Sequence, residues 1–207
     1  MTTKPEIILS YAFTAFAAIL IVAASAQAGN TPSLKTGAFD PPRAAPDFSL
    51  RGSNGTELKL SRYRGKVVAL GFGYTSCPEV CPTTMAFLAQ ARQQLGAARD
   101  DFQVVYVTVD PERDTTDRLR KFVTAFDPSF VGATGSPAQL AAVRSAYGIQ
   151  VARIDSSSSG PNYLLHHSSF VYLIDRSGNL RAMMPFGVSV DDIAHDVKVL
   201  LAKPANE

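Results

Sequence analysis

The sequence is sparing with its reactive side chains: of 207 residues, two are cysteine and three are histidine. Both cysteines, Cys77 and Cys81, fall within one short stretch, GYTSCPEVCPTTM (73–85), so the whole thiol chemistry of the chain sits in one place. A bridge between them would close a loop too short to add much stability, which disfavours a purely structural staple. Runs of like charge are missing too. The balance of 20 basic against 18 acidic residues gives +2 with no Lys/Arg block, which excludes the basic stripe of a nucleic-acid binder. Internal repeats and an Arg-rich transit segment are absent as well.

Charge, proline and glycine are all missing from Ile7 to Ala28, IILSYAFTAFAAILIVAASAQA. About 20 apolar residues suffice to span a bilayer as a helix. The same stretch, with Lys4 ahead of it and small-residue endings ASA (24–26) or AQA (26–28), also fits a secretory signal. Residues 1–28 are therefore a membrane anchor or a cleaved signal, and both place the remainder outside the cytoplasm. The expected location is the periplasmic face of a bacterial inner membrane, or the soluble periplasm if the segment is removed. There, two neighbouring thiols tend to oxidise unless a reductant or a metal holds them.

Residues 29–46, rich in Gly, Pro and small side chains, read as a linker, and the folded domain is expected over 47–207. Within it, FSLRGSNGTELKL reads as a hairpin turning at Asn54-Gly55. KVVALGFGY (66–74) and FQVVYVTVD (102–110) are apolar runs of buried-strand length. Helical spacing follows at 82–95 and 115–126, and again after the Ser136-Pro137 start signal as far as Gly148. SSFVYLID (168–175), the turn RSGN and LRAMMPF make a closing hairpin, followed by a helix over about 190–202. The patch DSSSSGPN (155–162) reads as a loop. Alternating strands and helices predict an α/β fold with a mixed sheet covered on both faces. The cysteines then fall at the carboxyl end of the first buried strand, where sites form in open sheets.

Pro82 suits the first turn of a helix. A helix beginning there puts Cys81 at its positive end, which predicts a lowered pKa for that thiol. Positions four apart on a helical turn separate Cβ atoms by about 5–6 Å, against about 3.8 Å in a disulfide. A metal bridging two sulfurs at about 2.3 Å each accommodates that gap better. The spacing favours metal while leaving redox exchange open. For a third ligand, His195 lies among aspartates of the last helix and reads as a surface residue. His166 and His167 are adjacent on a strand, so they point to opposite faces and at most one can meet the cysteines. Two thiolates and an imidazole form a soft three-coordinate set suited to copper, Cu(I) or Cu(II), more than to four-coordinate structural zinc. Met85 or the Met183-Met184 pair could add a weak ligand, although Met85 has core spacing.

GFGYTSCPEVCPTTM, then VTVDPERDT, then HHSSFVYLID, in that order and at suitable separations, resemble the Sco/SenC family of copper-binding, thioredoxin-like proteins from about Pro46 to the C-terminus. The resemblance implies a copper chaperone, usually membrane-anchored, that delivers copper to the dinuclear copper centre of cytochrome c oxidase subunit II and exchanges it with other periplasmic copper carriers. It implies Cys77, Cys81 and one histidine as ligands. Counting five back from Tyr172 selects His167 over His166, at the place where thioredoxins carry a proline beside their dithiol. Asp110 of DPERDT is expected to orient a ligand, contact a partner or cap a turn, and Tyr74 and Thr75 to shape the approach to the thiols. The alternative is a thiol–disulfide oxidoreductase in which Cys77 and Cys81 form a redox disulfide and reduce the cysteines of an oxidase subunit or another exported protein.

Overall fold

The structure, a computed structural model, describes residues 33–154 and 163–204. The apolar segment 1–28 and the patch 155–162 lie outside the described residues. Among the described residues, no helix is long and apolar enough to cross a membrane.

Two continuous apolar runs set the centre of the sheet. Strands β4 (Val67–Gly73) and β5 (Phe102–Thr108) are buried at every position and pair in parallel from Val67↔Phe102 to Gly73↔Thr108, as expected of strands covered on both faces. Around them an eight-stranded sheet runs β1-β10-β9-β4-β5-β6-β2-β3. It includes β6 (Val131–Thr134) parallel to β5, the hairpin of β2 (Ser49–Gly52) and β3 (Glu57–Lys59), and the antiparallel pair β9 (Val171–Ile174) and β10 (Asn179–Met184). Strands β7 (Val151–Ile154) and β8 (Leu164–His167) form a separate two-stranded ribbon.

Side chains alternate across β4. Phe72 faces Tyr147 and Tyr172, with ring centroids at 5.6 and 6.4 Å, and Tyr147 caps helix α3 (Pro137–Ala146). Gly71 and Gly73 face the opposite way, toward Tyr106 and Cys81 of helix α1 (Val80–Gln94). Helix α4 (Val190–Leu201) packs on α1, and α2 (Thr116–Thr124) on β6. The sheet is mixed and covered on both faces, as the alternation of elements predicts. Helix starts follow the sequence signals: Thr115, Ser136 and Ser189 each accept an N–H of the first turn, and Ser136 and Gln139 complete a capping box. Met85 and Leu88 put the apolar stripe of α1 into the core at 1% exposure each. Cutting either back to alanine would cost about 2–5 kcal/mol.

The folded unit starts earlier than the sequence suggests. The sequence reads 29–46 as linker, yet β1 occupies Gly37–Ala44 and pairs antiparallel with β10. Its side chains are almost all exposed, so it has no apolar alternation to read, and its prolines fit an edge strand. The compact unit begins at Ser33, and Asp196 of α4 holds its entry. This fully buried carboxylate accepts the Lys35 N–H at 2.8 Å, the Thr36 N–H at 3.0 Å and the Thr36 hydroxyl at 2.7 Å. His195 places Nδ1 3.0 Å from the same carboxylate and stays partly exposed, remote from the cysteines in the chain and paired on its own helix.

Candidate metal centre

Strand β4 ends at Gly73, and the chain turns through Tyr74–Cys77, closed by the Cys77 N–H donating to the Tyr74 carbonyl at 3.2 Å. Helix α1 then starts at Val80, two residues before the expected Pro82. That small shift reassigns the thiols. Cys81 lies inside the first turn and is buried, whereas Cys77 lies just ahead of the helix and is partly exposed. With no side-chain cap on Glu79, the Cys77 sulfur accepts the orphan N–H of Cys81 at 3.4 Å.

The expectation of a low-pKa Cys81 is therefore corrected: the thiolate belongs to Cys77. Its pKa is lowered to about 4, first by the hydrogen bond from the Cys81 thiol, then by His167 and by the backbone N–H groups of Cys81 and Glu79, with burial opposing. Cys81 moves upward, first because it donates to Cys77 and then because it is buried, with the Tyr106 hydroxyl pulling the other way. Both cysteines are free thiols.

The two histidines do not open β9, as the sequence suggested, but end β8 of the separate ribbon, with Ser168–Phe170 between. Their opposite orientation holds: His166 is exposed, and His167 turns inward. His167 Nε2 stands 3.6 Å from Cys81 Sγ. Its Nδ1 lies 3.0 Å from the Ser168 carbonyl oxygen. A carbonyl only accepts, so Nδ1 donates to it and the ring is turned with Nε2 toward the Cys81 sulfur, the nitrogen a metal would take. Bonds of about 2.3 Å to sulfur and about 2.0 Å to nitrogen, at angles between tetrahedral and trigonal, put S and N about 3.5–3.7 Å apart. The Cys81–His167 separation fits one edge of such a polyhedron. Among the described residues no three His, Cys, Asp or Glu side chains already stand together as a group that could hold a metal ion, so Cys81–His167 is the edge with metal-site spacing and Cys77 would have to close on it.

Tyr74 stands edge-on to His167, with centroids at 5.9 Å and planes at 82°, and its hydroxyl accepts the Leu165 N–H of β8 at 3.3 Å. It thus ties the histidine strand to the cysteine turn. Asp110 does not reach the thiols. It is buried, accepts the Tyr163 hydroxyl at 2.6 Å and pairs with Arg113, whose guanidinium lies over the Tyr163 ring and donates to the Tyr163 carbonyl at 2.9 Å. Its part is to hold the entry to β8. The same loop supplies a residue not singled out in the sequence. Asp114 accepts the Thr75 N–H at 3.0 Å, the Thr75 hydroxyl at 2.5 Å and the Thr108 hydroxyl at 2.6 Å, which locks the cysteine turn to the end of β5. Burial pushes its carboxyl pKa up against these bonds. Arg118 Nε and Nη2 donate to Thr75 and Ser76 from outside at 2.7 and 2.8 Å. Met85 stays in the core, and Met184 lies buried on β10.

The SCO1/SenC family profile matches residues 37–202. The chain belongs to the SCO1/SenC family. Its fold is the thioredoxin-like α/β fold of that family. The copper-bound ScoI structure of Bradyrhizobium japonicum superposes with a TM-score of 0.70 at 29% identity, covering 76% of this chain and 99% of that one. Apo Sco1 of Thermus thermophilus superposes at 0.68 with 32% identity, covering 84% and 96%. Among curated relatives, a SCO2-like protein of Rickettsia felis is 36% identical over 132 residues, 64% of this chain and 64% of that protein's length. In this SCO1/SenC member, Tyr106 is the site neighbour that sequence analysis missed. A tyrosine in a wholly buried strand must place its hydroxyl somewhere, and that signal was available.

Proposed function

We propose that this SCO1/SenC protein is a copper chaperone, holding one Cu(I) or Cu(II) through Cys77, Cys81 and His167 and passing it by ligand exchange to the dinuclear copper centre of cytochrome c oxidase subunit II. The observation that carries this is Nε2 of His167 at 3.6 Å from the Cys81 sulfur, in a ring oriented by the Nδ1 contact to Ser168. Soft thiolates favour Cu(I), and the imidazole extends the set to Cu(II). Three donors on an open side suit a carrier, because an incoming thiol can bind before the last bond breaks. Copper stands in the Bradyrhizobium japonicum relative, which supports the choice of metal. The apolar residues 7–28 support a place at the bacterial inner membrane facing the periplasm, or in the periplasm after cleavage, where the oxidase and other copper carriers are within reach.

Competition of the purified protein against a chromophoric Cu(I) chelator tests the ligand set. One copper per chain is expected. Cys77→Ser, Cys81→Ser and His167→Ala should each weaken it, while His166→Ala should not. Unchanged affinity in His167→Ala removes the three-ligand centre.

A second reading rests on the partly exposed, low-pKa Cys77 backed by a buried Cys81 thiol, the arrangement of an attacking and a resolving cysteine. The Cys77 thiolate would attack a partner disulfide, releasing one partner thiolate, and Cys81 would displace the second as the Cys77–Cys81 disulfide forms. A mixed disulfide trapped by Cys81→Ser, with function surviving His167→Ala, would favour this reductase.

A further inference from the structure

Strand β5 pairs Tyr106 with Gly71 of β4, and the Tyr106 ring lies along the side of β4 that Gly71 and Gly73 leave bare. A Cβ on Gly71 would touch ring atom Cδ2 at 3.7 Å, and one on Gly73 would stand 2.3 Å from the Tyr106 hydroxyl oxygen and 2.7 Å from Cys81 Sγ. The hydroxyl and the sulfur therefore crowd the same empty point in front of Gly73. Tyr106 is buried to 3% exposure, and its hydroxyl, though beside the Cys81 thiol, makes no hydrogen bond of good geometry among the described residues. Together with Cys81 and His167 it also lines a small cavity.

Packing alone does not explain that hydroxyl. The ring contacts Phe122 at 5.4 Å between centroids, which phenylalanine would do as well. A buried hydroxyl without a partner is a standing cost to the metal-free fold. A neutral thiol accepts a hydrogen bond weakly, whereas a thiolate accepts one strongly.

We infer that Tyr106 is a positioning residue of the metal centre, whose buried hydroxyl donates a hydrogen bond to the Cys81 sulfur when that sulfur is a metal-bound thiolate. The inference rests on the copper-site reading above. The bond holds the sulfur in place and draws electron density from it, as groups behind a metal ligand do. The two glycines of β4 are the backbone provision that lets the ring reach so far.

Tyr106→Phe in the full chain, solubilised in mild detergent, removes one oxygen and keeps the ring. Three measurements belong together: Cu(I) affinity by chelator competition, the thiolate-to-Cu(II) charge-transfer band, and thermal unfolding without metal. The expected result is a loss of about tenfold in copper affinity, a charge-transfer band moved to longer wavelength, and a metal-free protein at least as heat-stable as the parent. Parental affinity and band position overturn the inference while leaving the ligand set intact. A lowered melting temperature of the metal-free protein with an unmoved band assigns Tyr106 to packing and also overturns it. A parent chain that binds no copper removes both this inference and the proposed function.

Discussion

Replacing Gly73 by alanine tests the close packing behind the cysteine turn. Gly73 is not one of the positive-φ glycines, so its backbone accepts alanine and the effect is steric alone. The added Cβ would lie 2.3 Å from the Tyr106 hydroxyl, 2.9 Å from Tyr106 Cζ and 2.7 Å from Cys81 Sγ. Both neighbours are walled off from solvent, Tyr106 at 3% and Cys81 at 4% exposed. Overpacking of this kind costs about 1–3 kcal/mol, and two walled-in neighbours put this site in the upper half of that range. For a unit of this size the change corresponds to a fall in Tm of roughly 4–12 °C. Adding Tyr106→Phe removes the closest contact and leaves the other two, so the double variant should recover part of the loss, with a coupling of about 0.5 kcal/mol or more. Urea unfolding of the four proteins of the cycle gives the numbers. A Gly73→Ala protein as stable as the parent, with no coupling to Tyr106→Phe, would refute the packing described.

Two other perturbations probe the thiol pair and the entry to the fold. Cys77, with its pKa lowered to about 4, should react with iodoacetamide as a thiolate well below neutral pH, and Cys81→Ala, which removes the leading cause, should raise that pKa. Because the unfolded thiol titrates near about 8.5, the unfolded chain binds more protons in between, so the Cys77 contribution to stability grows with pH across that window and is lost as pH falls through about 4. Asp196→Ala leaves the Lys35 and Thr36 N–H groups unpaired and should cost about 3 kcal/mol, with amide exchange at those two residues accelerating first.

The parts of the fold legible in the sequence were those that advertise themselves locally. The continuous apolar runs of β4 and β5, the Asn54-Gly55 hairpin and the Ser136-Pro137 helix start all stand where they were expected. Strands held by pairing were not legible. β1 is exposed almost throughout, β6 is four residues of VGAT, and β7 and β8 exist through each other. Their hydrogen bonds come from partners distant in sequence, so no local pattern marks them. The site was legible as residue types, because thiols and imidazoles are scarce, and its electrostatics were not. The favoured thiolate is Cys77 and not Cys81 because the Cys81 thiol donates to it, a contact no local pattern shows, and Tyr106 met Cys81 only through two glycines on a neighbouring strand.

The central claim is that Cys77, Cys81 and His167 hold copper together. The most direct test is Cu(II) titration of the full chain, His167→Ala and His166→Ala, followed by electronic spectra. The account predicts a thiolate-to-copper charge-transfer band that saturates at one equivalent, persists in His166→Ala and is lost or strongly displaced in His167→Ala. A band unaffected by His167→Ala, or one that disappears with His166→Ala, would contradict it.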